Sequence, residues 1–377
     1  MYTDKPHRQP HWGAPPWHID FTVRSKPIPA SVDFAIVGAG FTGLAAAAWL
    51  RRLAPEKSVA VFEADRIGAG ASGRTGGMVL AETATGDLPG LGDVLAGFKK
   101  ILDALEIECD LELPGAWEIA RERGIPHSPI EWEDSGTVHV IRKVPGGTLD
   151  PGKLVAGLAR AANASRAQIF ENSAVEKIEW HKRPVLSVAK KACVAGKVLL
   201  ATNALSLDLT QLASRTHPKL TLAVLTEPLG KKQLDEIGLA GGHPFYTEDL
   251  PYLWGRRRED GSVIFGGGLV DADESHDLWR VDARQGHAQE FFQSIESRAS
   301  CLHPALAGVR FTHRWGGPIL FRENWCPVFM PHPQSENAIV LGAYAGHGVA
   351  LSSYLGAWAA EASLGQRKLP PWGSIQK

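Results

Sequence analysis

The segment "VGAGFTG" places Gly38, Gly40 and Gly43 at the spacing with which a strand turns into a helix around a dinucleotide pyrophosphate. Gly38 permits the tight turn off the strand, Gly40 admits the backbone to the pyrophosphate, and Gly43 lets helix and strand approach closely. The free N–H groups and partial positive charge of the helix start then meet the phosphates. Glu63 follows 20 residues after Gly43, at the end of the next apolar run, where a carboxylate accepts from a ribose diol. The same carboxylate repels a 2′-phosphate, so a dinucleotide with a free 2′-hydroxyl is expected. This spacing alone does not choose between NAD and FAD.

A second run, "RIGAGASGRTGGM" at residues 66–78, begins just past that carboxylate. Its glycines, among them Gly68, Gly70, Gly73, Gly76 and Gly77, allow the backbone to wrap an extended ligand, and Ser72, Arg74 and Thr75 add donors. Farther on, Tyr252, Trp254 and Arg256 alternate along one apparent strand and so share a face, a candidate aromatic and cationic wall. Gly346-His347-Gly348 precedes a helix-like stretch whose N–H groups and dipole can stabilise developing negative charge.

The elements that must position these groups are legible in outline. Phe34–Val37 is a short apolar strand, Leu44–Leu53 an alanine-rich helix and Val59–Phe62 a second strand, together a βαβ unit. Helix-like sequence runs from about Leu91 to Glu108, over residues 149–165 with Pro151 near its start, and near 283–299. "GAWEIA", "GTVHVIRK", "LTLAVLTEPL" and "SVIFGGGLV" read as strands outside the nucleotide-binding layer. Nucleotide-domain texture thus occurs three times and is interrupted twice, which predicts a discontinuous α/β domain carrying an insertion. The expected division is an N-terminal arm over 1–30, a cofactor domain over 31–115, 149–218 and 314–377, and a substrate domain over 116–148 and 219–313. In the arm, Pro10, Pro15, Pro16, Pro27 and Pro29 discourage regular structure, while Trp12 and Trp17 are candidate anchors to a surface.

Bulk properties exclude several classes. With 377 residues, 40 Lys and Arg against 41 Asp and Glu, and 44% hydrophobic residues, the chain has no charge bias toward nucleic acid or an acidic membrane. Cys109, Cys193, Cys301 and Cys326 are widely spaced and form no Cys-x-x-Cys, which fits reduced thiols in a cytoplasmic protein, with no metal site read. The N-terminal stretch has no apolar core of a secretory signal. Residues 338–360 lack Asp, Glu, Lys and Arg and could mimic a membrane span, but four glycines and His347 make them read as strand, turn and buried helix, so no integral membrane segment is expected.

Taken together, "VGAGFTGLAAA" with Glu63 and "IGAGASGRTGGM" resemble the D-amino-acid-oxidase-like superfamily of FAD-dependent amine and amino-acid oxidoreductases, and most of all its gamma-glutamylputrescine oxidase branch. Thr75 stands where that branch usually has Asn. "KVLLATNA", "RWGGPI" and "GAYAGHGVALSSYLG" are similar to further segments of the family, and the likeness extends from about residue 31 to 365. The resemblance implies an FAD-binding Rossmann-like α/β domain with an inserted, mainly antiparallel α+β substrate domain. It implies FAD contacts from Gly38, Gly40, Phe41, Thr42, Gly43, Glu63, Ala64 and Arg66, and then from Gly70, Ala71, Ser72, Gly73, Arg74, Thr75, Gly76, Gly77 and Met78. Val175, by its backbone on the adenine side, Ala201, Thr202, Asn203, Trp315, Gly317, Gly346, His347, Gly348 and Val349 complete the set.

The chemistry implied is oxidation of the C–N bond of a small amine or N-substituted amino acid by hydride transfer to flavin N5. Water then hydrolyses the imine, and oxygen or another acceptor reoxidises the flavin. His347, Tyr252 and Arg256 are the catalytic candidates. Amino-acid-oxidising relatives clamp the substrate carboxylate with an arginine, a position that aligns near Ile319, whereas Arg322 would face the other way along a strand. Trp315-Gly316-Gly317 favours the amine side. Cys326 is displaced from the position at which some relatives attach FAD covalently, so the flavin is expected to be non-covalent. The alternatives are a D-amino-acid or glycine oxidase or dehydrogenase, an NAD-dependent dehydrogenase, and a non-catalytic FAD-binding subunit whose Trp12 and Trp17 dock a partner.

Overall fold

The computed structural model describes residues 11–248, 251–272 and 278–374; residues 1–10 of the expected arm, with Pro10, lie outside this range. The strand Ser31–Val37 has an apolar interior and pairs in parallel with Val59–Phe62 on one side and Lys191–Leu200 on the other. Gln168–Phe170 and Ser335–Gly342 extend the parallel set, and Val328–His332 closes the far edge antiparallel. A hairpin arm, Val175–Glu179 and Val185–Val188, branches from Lys191–Leu200.

Three helices cover this sheet. Phe41–Leu53 is buried from Phe41 through Leu50, and its alanines leave room for close neighbours. Gly348–Ser363 crosses it so tightly that a Cβ on Gly356 would lie 2.4 Å from the Thr42 carbonyl oxygen. Pro151–Ala164 starts at Asp150, whose carboxylate accepts from Lys153 N at 2.8 Å. The helix expected over 91–108 is shorter, Val94–Ala104: Asp93 caps its start, and Glu106 takes a positive φ that ends it. The one expected near 283–299 runs Gly286–Cys301. Residues 338–360 resolve into the end of a strand, a turn and most of a helix; among the described residues no helix is long and apolar enough to cross a membrane.

The second sheet has the order Phe311–Phe321, His217–Thr226, Val263–Asp271, Leu253–Arg257, Phe245–Thr247, Ala116–Ala120, Thr137–Val144, Glu131–Glu133. Every pairing is antiparallel except Phe245–Thr247 with Ala116–Ala120. Phe311–Phe321 belongs here along its whole length, in continuous register from His217 to Leu225 and, past a bulge, paired again at Thr226 with Phe311. The chain therefore returns to the first sheet only after Phe321, not at residue 314.

One cross-strand row organises the face of this sheet. Arg142 pairs with Glu118, Glu118 with Tyr246, Tyr246 with Trp254, Trp254 with Gly266, Gly266 with Ala223 and Ala223 with Trp315. Directly paired residues point to the same side, so the charged end and the tryptophan end of the row share one face. Gly266 is the gap over which the Trp254 ring lies: a Cβ there would come within 2.1 Å of it.

Candidate active site

Between the two sheets lies a cavity of about 860 Å³. At one end, the turn after Ser31–Val37 is built by backbone contact. Gly38 has φ +103°, and a Cβ on Gly43 would lie 2.0 Å from the Gly38 carbonyl oxygen. The two glycine runs meet here, because Phe41 N donates to Ser72 Oγ at 2.9 Å. Glu63 accepts from Ala39 N at 2.8 Å and from Asp65 N at 3.1 Å; burial pushes its carboxyl above the usual range, against these two hydrogen bonds. Asn203 Oδ1 accepts from Ala343 N at 2.9 Å and so joins the ends of two parallel strands. Thr202 lines the cavity with a buried hydroxyl that has no protein partner.

Gly38, Gly40, Phe41, Thr42, Glu63, Ala64, Gly70, Ala71, Ser72, Arg74, Thr75, Gly76 and Met78 line the cavity, as do Val175, Ala201, Thr202, Asn203, Trp315, Gly317, Gly346, His347, Gly348 and Val349. Four expected cofactor residues do not. Gly43 and Gly73 are taken up by contacts within their own turns, a Cβ on Gly77 would lie 2.3 Å from the Leu149 carbonyl oxygen, and the Arg66 side chain is mostly in solvent, 4.0 Å from Asp65.

The second glycine loop is held from behind through its carbonyls. Trp17 Nε1 donates to Gly73 O at 2.8 Å, Trp315 Nε1 to Arg74 O at 2.9 Å, and Arg256 Nε to Gly76 O. Arg256 is thus not part of the cavity wall. It shares a face with Trp254 as expected, but it is buried beyond the loop, where desolvation brings its guanidinium down to about 10. Trp254 does line the cavity, its ring filling the space above Gly76. Tyr252 lines it too, from just before the strand Leu253–Arg257, and burial raises its hydroxyl pKa.

The opposite wall carries a charged group. Glu118, 1% exposed, accepts from Arg142 Nε at 3.0 Å and from Tyr246 OH at 2.8 Å; Tyr246 OH also reaches Glu82 Oε1 at 3.3 Å. Burial opposes ionisation of Glu118, but hydrogen bonds from Glu248, Arg142 and Tyr246 hold its pKa below the ordinary carboxylate value. Glu248, hydrogen-bonded to Glu118, is pushed up to about 6. His347 Nδ1 lies 3.3 Å from the Ala345 carbonyl oxygen, an atom that only accepts, so Nδ1 carries the ring proton and Nε2 is left with its lone pair. Burial lowers the His347 pKa and so favours the neutral ring.

The cavity-lining arginines among the described residues are both engaged. Arg74 donates to the carbonyls of Ala69 at 3.2 Å, Gly13 at 2.8 Å and Gly316 at 3.1 Å, and Arg142 is bound to Glu118. Ile319 lines the cavity, whereas Arg322 is buried away from it, its guanidinium 3.4 Å from the carbonyl oxygens of Cys326 and Pro327. Cys326 is not in the lining; its neighbour Trp325, 49% exposed with φ +59°, is.

Residues 33–362 match the family described as FAD dependent oxidoreductase, and the chain belongs to that family. It is 29% identical to the probable oxidoreductase OrdL of Rhizobium meliloti over 93% of this chain and 88% of that protein. It is 26% identical to the gamma-glutamylputrescine oxidoreductase of Escherichia coli over 87% and 83%. Among solved structures, glycine oxidase from Geobacillus kaustophilus superposes with a TM-score of 0.69 at 18% identity, covering 90% of this chain and 96% of that one. L-Proline dehydrogenase from P. horikoshii gives 0.70 at 17%, covering 91% and 96%. The fold is thus a Rossmann-like FAD-binding unit with a substrate unit, and the protein is an FAD-dependent oxidoreductase. The cavity fits that cofactor: Glu63, the Gly38–Gly40 turn, the two helix starts at Phe41 and Gly348, and the unpartnered Thr202 hydroxyl are the polar groups that would meet it.

Glu82, Glu118, Arg142, Tyr246 and Glu248 were not among the expected site residues. One signal was available: in "AWEIA" a glutamate interrupts an otherwise apolar strand, and a buried charge there requires a partner. Nothing local marks Arg142 or Tyr246, because the cross-strand register alone joins them to Glu118.

Proposed function

We propose that this oxidoreductase acts on the C–N bond of a small amine that carries a second cationic group, in preference to a free amino acid. The observation that carries this reading is the charge of the cavity wall. Three carboxylates, Glu82, Glu118 and Glu248, line it, while both lining arginines are committed to protein acceptors. A substrate carboxylate would find no unengaged guanidinium among the described lining residues, whereas an ammonium would find the carboxylates of Glu82 and Glu248, with Glu118 held behind them by Arg142 and Tyr246. Ile319, at the position aligned with the carboxylate-clamping arginine, supports the same choice. The relatives named for gamma-glutamylputrescine and 4-methylaminobutanoate support an amine C–N bond as the point of oxidation.

FAD held along the Gly38–Gly40 turn and the helix starts at Phe41 and Gly348 would supply the hydride acceptor for oxidation of the substrate C–N bond to an imine, which water hydrolyses. The chain's own residues bind and orient. Trp254 and Tyr252 form an apolar wall, and His347 Nε2, unprotonated, can take the proton that the reacting ammonium must lose. Substitution of Glu82 by Gln keeps the shape of the site and removes one charge that faces the cavity. For a diamine we expect KM to rise about tenfold or more, the effect of losing a charge-assisted hydrogen bond, with kcat within about twofold. Unchanged KM for the diamine would refute the assignment of this wall.

A further inference from the structure

We propose that the N-terminal arm is a clamp for the cofactor: residues 12–19 seat behind the second glycine loop, and their docking and FAD binding stabilise each other. Trp12 and Trp17 do not await a partner protein. Both are buried within this chain, at 0% and 8% exposure.

The seat is built for the arm. Trp12 O accepts from Gly316 N at 2.6 Å, and Gly13 bridges Trp315. The Trp12 indole donates to Leu278 O at 3.1 Å and stacks on Trp279. Arg74 lies over the Trp12 ring, 5.4 Å from its centroid, and donates to Gly13 O. Trp17 then holds Gly73 O.

Three glycines make way for the same segment. A Cβ on Gly68 would lie 2.8 Å from Ile19 Cδ1, one on Gly73 3.0 Å from the same atom, and one on Gly152 2.2 Å from the His18 carbonyl oxygen. Gly152 sits in the first turn of Pro151–Ala164 and does not line the cavity, so its lack of a side chain serves the arm rather than the cofactor. The loop that the arm grips lines the cavity at Ala71, Ser72, Arg74, Thr75 and Gly76. A ligand that needs the loop in this shape favours the docked arm, and by reciprocity the docked arm favours the ligand.

The test uses the full chain and FAD itself. Trp17→Phe removes one indole N–H and keeps the ring, while Gly152→Ala pushes on His18 from outside the cavity. Phe21→Ala, in the same arm but past the seat, is the control. FAD dissociation constants are measured by flavin fluorescence on apoprotein whose circular dichroism matches the parent. Hydrogen exchange of residues 12–19 is followed with and without FAD. We expect Trp17→Phe and Gly152→Ala to weaken FAD about tenfold, Phe21→Ala to change it less than about twofold, and FAD to slow exchange in the arm. FAD affinity unchanged in both variants, equal loss in the control, or arm exchange indifferent to FAD would overturn the clamp. These readouts involve no amine, so they are independent of the substrate reading.

Discussion

Trp17 and Trp315 meet edge to face with ring centroids 5.6 Å apart, and each donates its indole N–H to one of two successive carbonyls, Gly73 and Arg74. One comes from the N-terminal arm and the other from the strand Phe311–Phe321, 298 positions later in the chain. The pair pins the cofactor loop between the two sheets. Their substitutions should therefore be non-additive: a double-mutant cycle with Trp17→Phe and Trp315→Phe, read by denaturant unfolding of the apoprotein, is expected to give a coupling of about 1 kcal/mol.

Glu63 spends both oxygens on backbone N–H groups at the turn that bears the first glycine motif. Glu63→Gln replaces one acceptor by a donor facing an N–H. FAD affinity should fall about tenfold to a hundredfold, as expected for losing a hydrogen bond to a charged group of about 1.5–3 kcal/mol. Equilibrium titration of the apoprotein with FAD measures it.

Gly43 is fixed by sterics, since a Cβ would sit 2.0 Å from the Gly38 carbonyl oxygen. Gly43→Ala must push the helix Phe41–Leu53 off its strand, and we expect about 1–3 kcal/mol of destabilisation. The cofactor should be lost with it, seen as a lower unfolding midpoint and a colourless preparation.

Glu248 has its pKa raised from 4.5 to about 6 by its hydrogen bond to Glu118, with burial adding to it. The folded state binds that proton more tightly than the unfolded chain does, so ionisation weakens the fold as pH rises through this window. It also adds negative charge to the cavity wall. KM for a cationic amine should accordingly fall as pH rises through about 6, a limb that Glu248→Gln removes. Steady-state kinetics of both proteins between pH 5 and 8, about the range over which the carboxyl titrates, checks it.

Cys326 lies outside the cavity lining, 3.8 Å from Thr85 Oγ1. The flavin should therefore be released into the supernatant on acid precipitation. Yellow colour retained in the pellet would show a covalent bond.

Much of the cofactor end was legible because its constraints are local. Gly38, Gly40 and Gly43 sit within one turn, and Glu63 follows at the end of the next strand, so spacing alone carries the information. The second sheet was legible as strands but not as a site. Glu118, Arg142 and Tyr246 come from three separated segments, and only the register of neighbouring strands brings them together. Arg256 shows the converse: alternation correctly set it beside Trp254, but which sheet face meets the glycine loop depends on how the loop folds back, which no periodicity records.

The central claim, an amine-oxidising flavoprotein whose wall favours cationic substrates, is tested most directly by anaerobic flavin bleaching. The holoenzyme is mixed with monoamines, diamines, N-methyl amino acids, and D- and L-amino acids, and the rate of loss of flavin absorbance is recorded. Diamines should bleach the flavin fastest, at concentrations well below those needed for monoamines of similar length. Rapid bleaching by free amino acids alone would contradict the account.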